Sequence, residues 1–394
     1  MTLFDEIDRN DHEIAQYAKP LFAYLNRTAR VEFDRIRHEL EEWFAHYPSS
    51  GRAELRARFR SGIDTQHQAA FFELFLHEIL LRLGCQVTLH PTIPNVARTP
   101  DFLVESPNGE RFYIEATVAT NESVGEAAAR ARMNAVYDVL NRIVDSPDFF
   151  LWLTIRGAPA TPPPARRIAS FVSACLAGLD PDAIIRLYES GRTEEVPRWS
   201  FEHEGWRIEF RPIPKKPEAR GRPGVRLIGA RITGVRGVDH RTSIKEAITE
   251  KAGRYGDLDL PYVVAVNVLE FVDEIDIMEA LFGKEQFTVM FSDSGPAEPV
   301  DTQVSRLPDG AWTGLAGPRY TRVSAVLVAT RLSAYGIPRA NLRLYHNPWA
   351  QRLYKSVLTR LPQAMPRDNR MERIDGESTE AIFGLPASWP EEAG

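Results

Sequence analysis

The sequence predicts a mixed α/β protein, on three observations: a long apolar helix, three short strand-like runs, and a continuous apolar run after a second helix. The first helix, HQAAFFELFLHEILLRLG, carries a wide apolar stripe and ends at Gly84, a residue type that commonly terminates helices. The strand-like runs are CQVTLHP, TPDFLVES and RFYIEATVA. The second helix and the apolar run are ESVGEAAARARMNAVYDVLNRIV and FFLWLTIRG. This order predicts a three-stranded meander, then a helical crossover to a parallel strand.

Regions on either side of this core extend the predicted fold. Residues 1–62 are predicted to form a helical cap, because apolar side chains recur at three- and four-residue steps in VEFDRIRHELEEWFAHY. A dimerisation or DNA-contacting arm is the alternative. The core spans residues 63–158, and residues 159–366 extend its mixed central sheet or form a second α/β domain. Residues 367–394 are acidic and poorly patterned, which predicts a loosely packed tail.

Composition indicates a cytoplasmic globular protein. Of its 394 residues, 43% are hydrophobic and 26% are charged, and no apolar run approaches the roughly 20 residues of a membrane helix. The N-terminus is acidic and polar, unlike a signal peptide. Cys85 and Cys175 lie in apolar runs, so we expect two buried thiols rather than a disulfide. The net charge of −6 argues against a surface that binds nucleic acid everywhere, but it permits a local basic groove.

Four acidic residues stand out by their placement, and two of them, Glu73 and Glu78, lie on the helix before the strands. Asp101 begins the second strand, and Glu115 lies near the end of the third. Antiparallel neighbours joined by a short hairpin bring two such side chains together on one face. Glu73 interrupts the apolar run FFELFL, where a charge is costly unless it has a partner. Because Mg²⁺ binds through one or two carboxylates plus waters and phosphate oxygens, we expect Mg²⁺ or Mn²⁺ at Asp101 and Glu115, with Glu73 binding directly or through a water.

These features together resemble a known superfamily. Pro100-Asp101, the gap to Glu115, the preceding helix with Glu73 and the αβββαβ order are similar to the PD-(D/E)XK, or restriction-endonuclease-like, superfamily. The resemblance covers residues 66–156. It implies a restriction-endonuclease-like core and metal-dependent hydrolysis of a phosphodiester bond, with Asp101 and Glu115 as metal ligands.

The sequence departs from the superfamily at one position. The motif has a lysine two residues after the glutamate, where this chain has Thr117. A threonine hydroxyl cannot supply a positive charge. Three explanations remain open: a cation supplied from elsewhere in the fold, sufficiency of Thr117 or a second metal ion, and loss of catalysis with retention of binding.

The distribution of lysines indicates which residue could replace the motif lysine that is absent at Thr117. No lysine lies between Lys19 and Lys215, so a lysine in the active site has to come from the second half of the chain. The helix SIKEAITEKAGRYG offers Lys251, one turn from Tyr255. Arg130 or Arg132 is the alternative. The predicted catalytic residues are Asp101, Glu115, Thr117 and Lys251.

A basic loop in the second half is the predicted contact for nucleic acid. Near Trp206 it carries the candidate phosphate-binding residues Arg211, Lys215, Lys216, Arg220 and Arg222. The alternative is an exposed hairpin with a solvated, charged tip.

The predicted function is hydrolysis of DNA phosphodiester bonds by a Mg²⁺- or Mn²⁺-dependent nuclease, with water as the nucleophile. By analogy alone, a bacterial defence or restriction-like system is the expected context, with DNA (or RNA) as partner, no membrane, and a homodimer or a partner protein. Two alternatives stay open. One is a catalytically inactive nuclease fold used for nucleic-acid binding or scaffolding, and the other is an RNA-cleaving, toxin-like enzyme.

Overall fold

The structure, a computed structural model, describes residues 1–93, 98–120, 124–222, 225–233, 240–291, 299–367 and 370–391. Within these ranges the α-helices are α1 (Leu21–Arg27), α2 (Val31–His46), α3 (Arg52–Phe59), α4 (Asp64–Arg82), α5 (Val124–Ile143), α6 (Ala165–Leu176), α7 (Pro181–Glu189), α8 (His240–Ala252), α9 (Glu274–Phe282) and α10 (Thr379–Phe383). The strands are β1 (Gln86–Leu89), β2 (Phe102–Glu105), β3 (Arg111–Ala119), β4 (Phe149–Arg156), β5 (Trp199–His203), β6 (Trp206–Pro214), β7 (Ile228–Thr233), β8 (Tyr262–Val268), β9 (Glu285–Phe291), β10 (Pro299–Arg306), β11 (Thr313–Gly314), β12 (Gly317–Pro318), β13 (Val323–Thr330), β14 (Asn341–His346), β15 (Gln363–Arg367) and β16 (Arg370–Ile374).

The chain divides into two compact units. The larger unit comprises Met1–Asp8, Ala29–Asn121 and Asp239–Gly394. The smaller unit comprises Arg9–Thr28 and Glu122–Val238. Along the chain, most of the smaller unit is therefore an insertion between β3 and α8, and the predicted boundaries at residues 62, 158 and 366 do not coincide with those of the units.

A mixed eight-stranded sheet forms the centre of the larger unit, in the order β1-β2-β3-β8-β13-β14-β15-β16. The first three strands are antiparallel neighbours, as the predicted meander requires. Strand β3 then runs parallel to β8, and β8 runs parallel to β13. The prediction of a mixed α/β protein with a mixed central sheet is thus confirmed.

The fourth strand of the predicted core was assigned wrongly. Strand β4 lies in a four-stranded sheet of the smaller unit, between antiparallel β6 and parallel β7. The parallel neighbour of β3 is instead β8, which follows α8. Burial explains the difference: every residue of β8 is buried, whereas β4 alternates buried and half-buried residues because only one of its faces is fully covered.

Two sets of helices pack on the sheet of the larger unit. Side chains of α8 and α9 share an apolar cluster with residues of β3, β8 and β13, including Tyr113, Val264 and Val326. The long helix α4 contacts β1, β3 and the helices α2, α3 and α10. The helices α2 and α3 of the N-terminal region thus pack on α4, whereas α1 belongs to the smaller unit.

The smaller unit has its own apolar core. Its four-stranded sheet, in the order β5-β6-β4-β7, packs with α5, α6 and α7 around buried residues such as Leu151, Ile168 and Phe210. Both cysteines are free thiols, Cys85 buried and Cys175 half-buried. Within the described ranges no single helix is long and apolar enough to cross a membrane, although the bent pair Ala165–Leu176 and Pro181–Glu189 meets the length and composition together.

The C-terminal segment packs more closely than the sequence predicts. Strand β16 pairs with β15, and α10 places Phe383 against the core with only 4% of its surface exposed. The Phe383 ring stacks on Phe75 at 5.2 Å between centroids and lies 5.0 Å from Trp43. The acidic composition of this segment gave no indication that Phe383 packs in the core.

Replacing this anchor is expected to destabilise the larger unit. Phe383→Ala removes a buried ring, which costs about 3–5 kcal/mol of unfolding free energy in protein cores. Urea denaturation measures the change, with Phe271→Ala as the control because Phe271 is 66% exposed. Equal stability of the two variants would contradict the packing described for α10.

Candidate functional site

The hairpin of β2 and β3 brings two carboxylates together. Phe102 pairs with Ile114 in the antiparallel ladder, so continuing the register by one residue sets Asp101 opposite Glu115. The Oδ2 atom of Asp101 accepts a hydrogen bond from the backbone N–H of Ala116 at 2.7 Å. This bond fixes the Asp101 side chain at the edge of the ladder, beside Glu115, as the spacing of the two residues predicts.

Glu115 is the centre of a buried ion-pair network. Its side chain is 2% exposed, and its Oε1 accepts from Nζ of Lys251 at 2.8 Å and from Nη1 of Arg254 at 3.1 Å. Its Oε2 accepts from the hydroxyl of Tyr255 at 2.5 Å. That hydroxyl also lies 3.0 Å from the carbonyl oxygen of Thr99. Two cations and a phenol therefore compensate the buried charge of Glu115.

Helix α8 and the turn after it deliver all three donors because of their spacing. Lys251, Arg254 and Tyr255 stand at positions i, i+3 and i+4, which share one face of a helix. Ile248 and Ile244, one and two turns before Lys251, bury the same side of α8 against β3 and β8. The apolar residues thus anchor the helix on the sheet. Lys251 and Arg254, at the C-terminal end of the helix and just after it, direct their positive charges towards Glu115 of β3.

The electrostatics of the site differ between the two carboxylates. Burial, together with the negative charges of Glu115 and Glu73, raises the pKa of Asp101 to about 7, although the N–H of Ala116 and the charge of Lys251 oppose the shift. Burial and the hydrogen bond to Glu115 raise the pKa of the Tyr255 hydroxyl far above its usual value, so this hydroxyl stays protonated and donates. Asp101 is therefore a carboxyl that exchanges its proton near neutral pH.

Glu73 on α4 belongs to a separate polar cluster with Tyr47 and Arg58. Its Oε1 accepts from the hydroxyl of Tyr47 at 2.5 Å, and its Oε2 accepts from Nη2 of Arg58 at 2.7 Å. Tyr47 and Arg58 come from the N-terminal helical region, which thereby supplies the partner that a charge in an apolar helix requires. The charge of Glu73 reaches Asp101 only through space, as one of the causes of its raised pKa.

The described residues offer two carboxylates, rather than three, to a divalent cation. Among the described residues, no group of three or more His, Cys, Asp or Glu side chains is positioned to hold a metal ion. Oε2 of Glu115 accepts one hydrogen bond and retains a lone pair, and Oδ1 of Asp101 receives none from the described residues. Mg²⁺ commonly uses one or two carboxylates and completes its shell with waters and phosphate oxygens.

The remaining catalytic candidates lie in different positions. Thr117 is half-buried on β3, two residues from Glu115 and hence on the same face of the strand. Its hydroxyl makes no hydrogen bond with any residue that the structure describes. Arg130 and Arg132 lie on α5 of the smaller unit, where Nε of Arg132 donates to the carbonyl of Pro159 at 2.8 Å.

Three of the five residues predicted to bind phosphate instead make contacts with other side chains or backbone groups of the smaller unit. The guanidinium of Arg211 lies 5.2 Å from the ring centre of Trp152. Lys215 is only 4% exposed and donates to the carbonyl of Ser146 at 2.9 Å. Arg220 forms an ion pair with Asp182 at 2.5 Å. The other two, Lys216 and Arg222, are exposed, and the aromatic partner expected for the loop, Trp206, is fully buried.

Sequence reasoning missed Arg254, Tyr47 and Arg58. The signal for Arg254 was present, since it stands three residues after Lys251 in the predicted helix SIKEAITEKAGRYG, although α8 itself ends at Ala252. No comparable signal existed for Tyr47 and Arg58, because their contacts with Glu73 depend on how α2 and α3 pack on α4.

Comparisons with known proteins give no information about the site. The chain matches no protein-family model, no curated protein and no solved structure.

Proposed function

We propose that this protein is a metal-dependent nuclease that hydrolyses phosphodiester bonds in DNA. The observation that carries the proposal is the meeting of Asp101, Glu115 and Lys251, three residues predicted from the sequence, with Lys251 bonded to Glu115 at 2.8 Å. The order α4-β1-β2-β3 followed by α8-β8 supports a restriction-endonuclease-like core whose last helix and strand come after the insertion. In this arrangement Lys251 replaces the lysine that Thr117 displaces from the motif.

Each residue has a role that its environment suits. A bound Mg²⁺ or Mn²⁺ would lower the pKa of a water and neutralise charge on the scissile phosphate. Asp101 and Glu115 would hold that ion through carboxylate oxygens. Lys251 would orient the attacking water and a phosphate oxygen with its ammonium group. Arg254 would stabilise the negative charge that develops as the water oxygen bonds to phosphorus and the bond to the leaving oxygen breaks.

Removing the ammonium group tests the role of Lys251. We expect Lys251→Ala to lower the rate of plasmid cleavage about 10²–10³-fold, the usual cost of losing one preorganised charge in an active site. We expect Lys251→Arg to recover little of this, because a planar guanidinium does not replace a compact ammonium. The rates would be measured as nicking in Mg²⁺ and in Mn²⁺, with labelled DNA and RNA offered in parallel.

Lys245 provides the matched control on the same helix. Its Nζ donates to the carbonyl of Asp309 at 2.9 Å, so Lys245→Ala removes a partly buried lysine of α8 that lies outside the network of Glu115. We expect this variant to cleave at the wild-type rate. Equal cleavage by Lys251→Ala and the wild type would contradict the role given to Lys251.

One observation favours a second candidate, a nuclease fold that binds without cleaving. The donors on Glu115 form a satisfied network in which Lys251 and Arg254 are structural partners of a buried carboxylate. Calorimetric titration with Mg²⁺ and Mn²⁺ separates the two functions. A wild type that binds neither metal and cleaves neither DNA nor RNA would favour the binding module, whereas cleavage of RNA alone would favour a toxin-like ribonuclease.

The biological context follows only by analogy. A nuclease of this kind suits a bacterial defence or restriction-like system in the cytoplasm, acting as a homodimer or with a partner protein.

A further inference from the structure

A shallow cavity of about 430 Å³, open to solvent, lies on the larger unit next to the network of Glu115. Its walls are Asp257, Arg319, Tyr320, Thr321, Arg322 and Gln351. They come from the turn after α8, the segment before β13 and the segment after β14, so the chain brings together three separate stretches at this point.

Direct contacts join the cavity to the candidate active site. Nη1 of Arg322 donates to the carbonyl of Tyr255 at 2.5 Å, and the hydroxyl of Tyr255 donates to Glu115. A methyl group built on Gly253 would lie 3.9 Å from Cε1 of Tyr320, so the tyrosine ring flanks the chain between Lys251 and Arg254. A ligand in the cavity would therefore contact side chains that pack directly on the segment carrying Lys251, Arg254 and Tyr255.

The lining combines positive charge with an aromatic ring. Arg319 is exposed, and its guanidinium lies 5.2 Å from the ring centre of Tyr320. Arg322 is half-buried. The exposed Arg352 follows the lining residue Gln351 in sequence, and its Nε donates to the carbonyl of Leu258 at 2.9 Å. Asp257 is the one acidic side chain among the lining residues. Arginines that alternate with an aromatic side chain are typical of surfaces that follow a phosphate backbone and stack bases.

The backbone holds this arrangement in a fixed form. Tyr320 has φ of 48°, an unusual value for a bulky residue. The strain is held by hydrogen bonds from the N–H of Val323 to the carbonyl of Tyr320 at 2.9 Å and from the N–H of Gln351 to the carbonyl of Thr321 at 2.7 Å. Strained positions of this kind concentrate at binding and catalytic sites.

We propose that this cavity binds a single-stranded stretch of a polynucleotide beside the scissile bond. Phosphates would contact Arg319 and Arg322, and an unpaired base would stack on the Tyr320 ring. A fully paired duplex would not present a base face to this ring, so the proposal assigns the enzyme a preference for single-stranded or locally opened substrates. This inference rests on the proposed nuclease function and names the form of its substrate.

Binding measured without cleavage tests the inference separately from the nuclease function. Fluorescence anisotropy in EDTA would compare a labelled single-stranded DNA, the same sequence as RNA, and a blunt DNA duplex. We expect Tyr320→Ala to weaken single-strand binding about tenfold, in line with the loss of one stacked base, and to leave duplex binding unchanged. Tyr320→Phe keeps the ring and is expected to bind as the wild type does.

Charge is tested by the salt dependence of binding. We expect Arg319→Ala to reduce the slope of log affinity against log salt by about 0.7, the value for one phosphate contact on a single strand. The matched control is Arg367→Ala, an exposed arginine of β15. Thermal unfolding of each variant checks that the fold is retained.

Three results would overturn the inference: absence of single-strand binding by the wild type, wild-type affinity in both Arg319→Ala and Tyr320→Ala, or an equal loss of duplex binding in Tyr320→Ala. A preference for DNA or for RNA identifies the substrate without affecting the site. Retained binding with no cleavage in any metal would support this cavity while refuting the nuclease function, so the two failures are distinguishable.

Discussion

Asp101→Asn is expected to abolish cleavage and, at the same time, to stabilise the metal-free protein. The charged oxygen that would hold Mg²⁺ is lost, so we expect at least a 10³-fold fall in rate. The amide oxygen of asparagine can still accept the hydrogen bond from the N–H of Ala116. The variant also removes a carboxylate whose ionisation is opposed by burial and by Glu115 and Glu73. We expect the loss of this unfavourable ionisation to raise the free energy of unfolding by on the order of 1–3 kcal/mol above neutral pH.

The pH dependence has a definite sign. The pKa of Asp101 rises from 3.8 to about 7 on folding, so between these values the folded protein holds a proton that the unfolded chain has released. This group therefore destabilises the fold progressively as pH rises from about 4 to about 7, and the cost is constant above that range. Metal affinity should rise over the same interval, because the metal displaces the proton.

Urea denaturation in EDTA at pH 5 and pH 8 measures this difference. We expect the stability gained by Asp101→Asn over the wild type to be larger at pH 8. Asp375→Asn is the control, because Asp375 is exposed in the same unit. A variant that is less stable than the wild type at pH 8 would show that the Asp101 charge is compensated in the metal-free protein.

Glu115→Gln is expected to abolish cleavage as well, but with the opposite effect on stability. The substitution leaves Lys251 and Arg254 facing a neutral amide in a site where the carboxylate is 2% exposed. Removing one partner of a buried ion pair costs about 3 kcal/mol or more, because the remaining charges are left uncompensated. The two carboxylates should thus be equivalent in cleavage assays and different in denaturation assays.

A double variant tests whether the loss arises from the unpaired cation. We expect Glu115→Gln with Lys251→Met to be less destabilised than the sum of the two single changes, since each removes the partner of the other. Glu105→Gln, an exposed position on β2, should have stability close to that of the wild type. Strict additivity of Glu115→Gln and Lys251→Met would contradict a direct coupling through the 2.8 Å contact.

The parts of the site set by short-range geometry were predictable from the sequence. Asp101 and Glu115 face each other because a hairpin and strand alternation bring them there, and both signals are local. Lys251 was identified by elimination, as lysines are missing from Lys19 to Lys215. Its contact with Glu115 agrees with that placement, while its role in catalysis stays a prediction.

The parts that depend on long-range pairing were not predictable. Strands β4 and β8 are both continuous apolar runs, and nothing in either run indicates which one adjoins β3. The basic loop had the composition of a phosphate-binding surface, yet Lys215 and Arg220 are held by Ser146 and Asp182, contacts that only the fold creates. Composition counts charges, but it does not identify which of them remain available.

The insertion between β3 and α8 also sets the order in which this site is completed during synthesis. Glu115 and Lys251 are separated by 136 residues, which a ribosome adds in about 7–27 s at typical rates of roughly 5–20 residues per second. A nascent chain therefore carries both carboxylates of the site well before the lysine and arginine that neutralise them. The larger unit can neither bury Glu115 with its partners nor complete its sheet through β8 until the whole insertion has been translated. The site is therefore completed only after α8 and β8 have been translated.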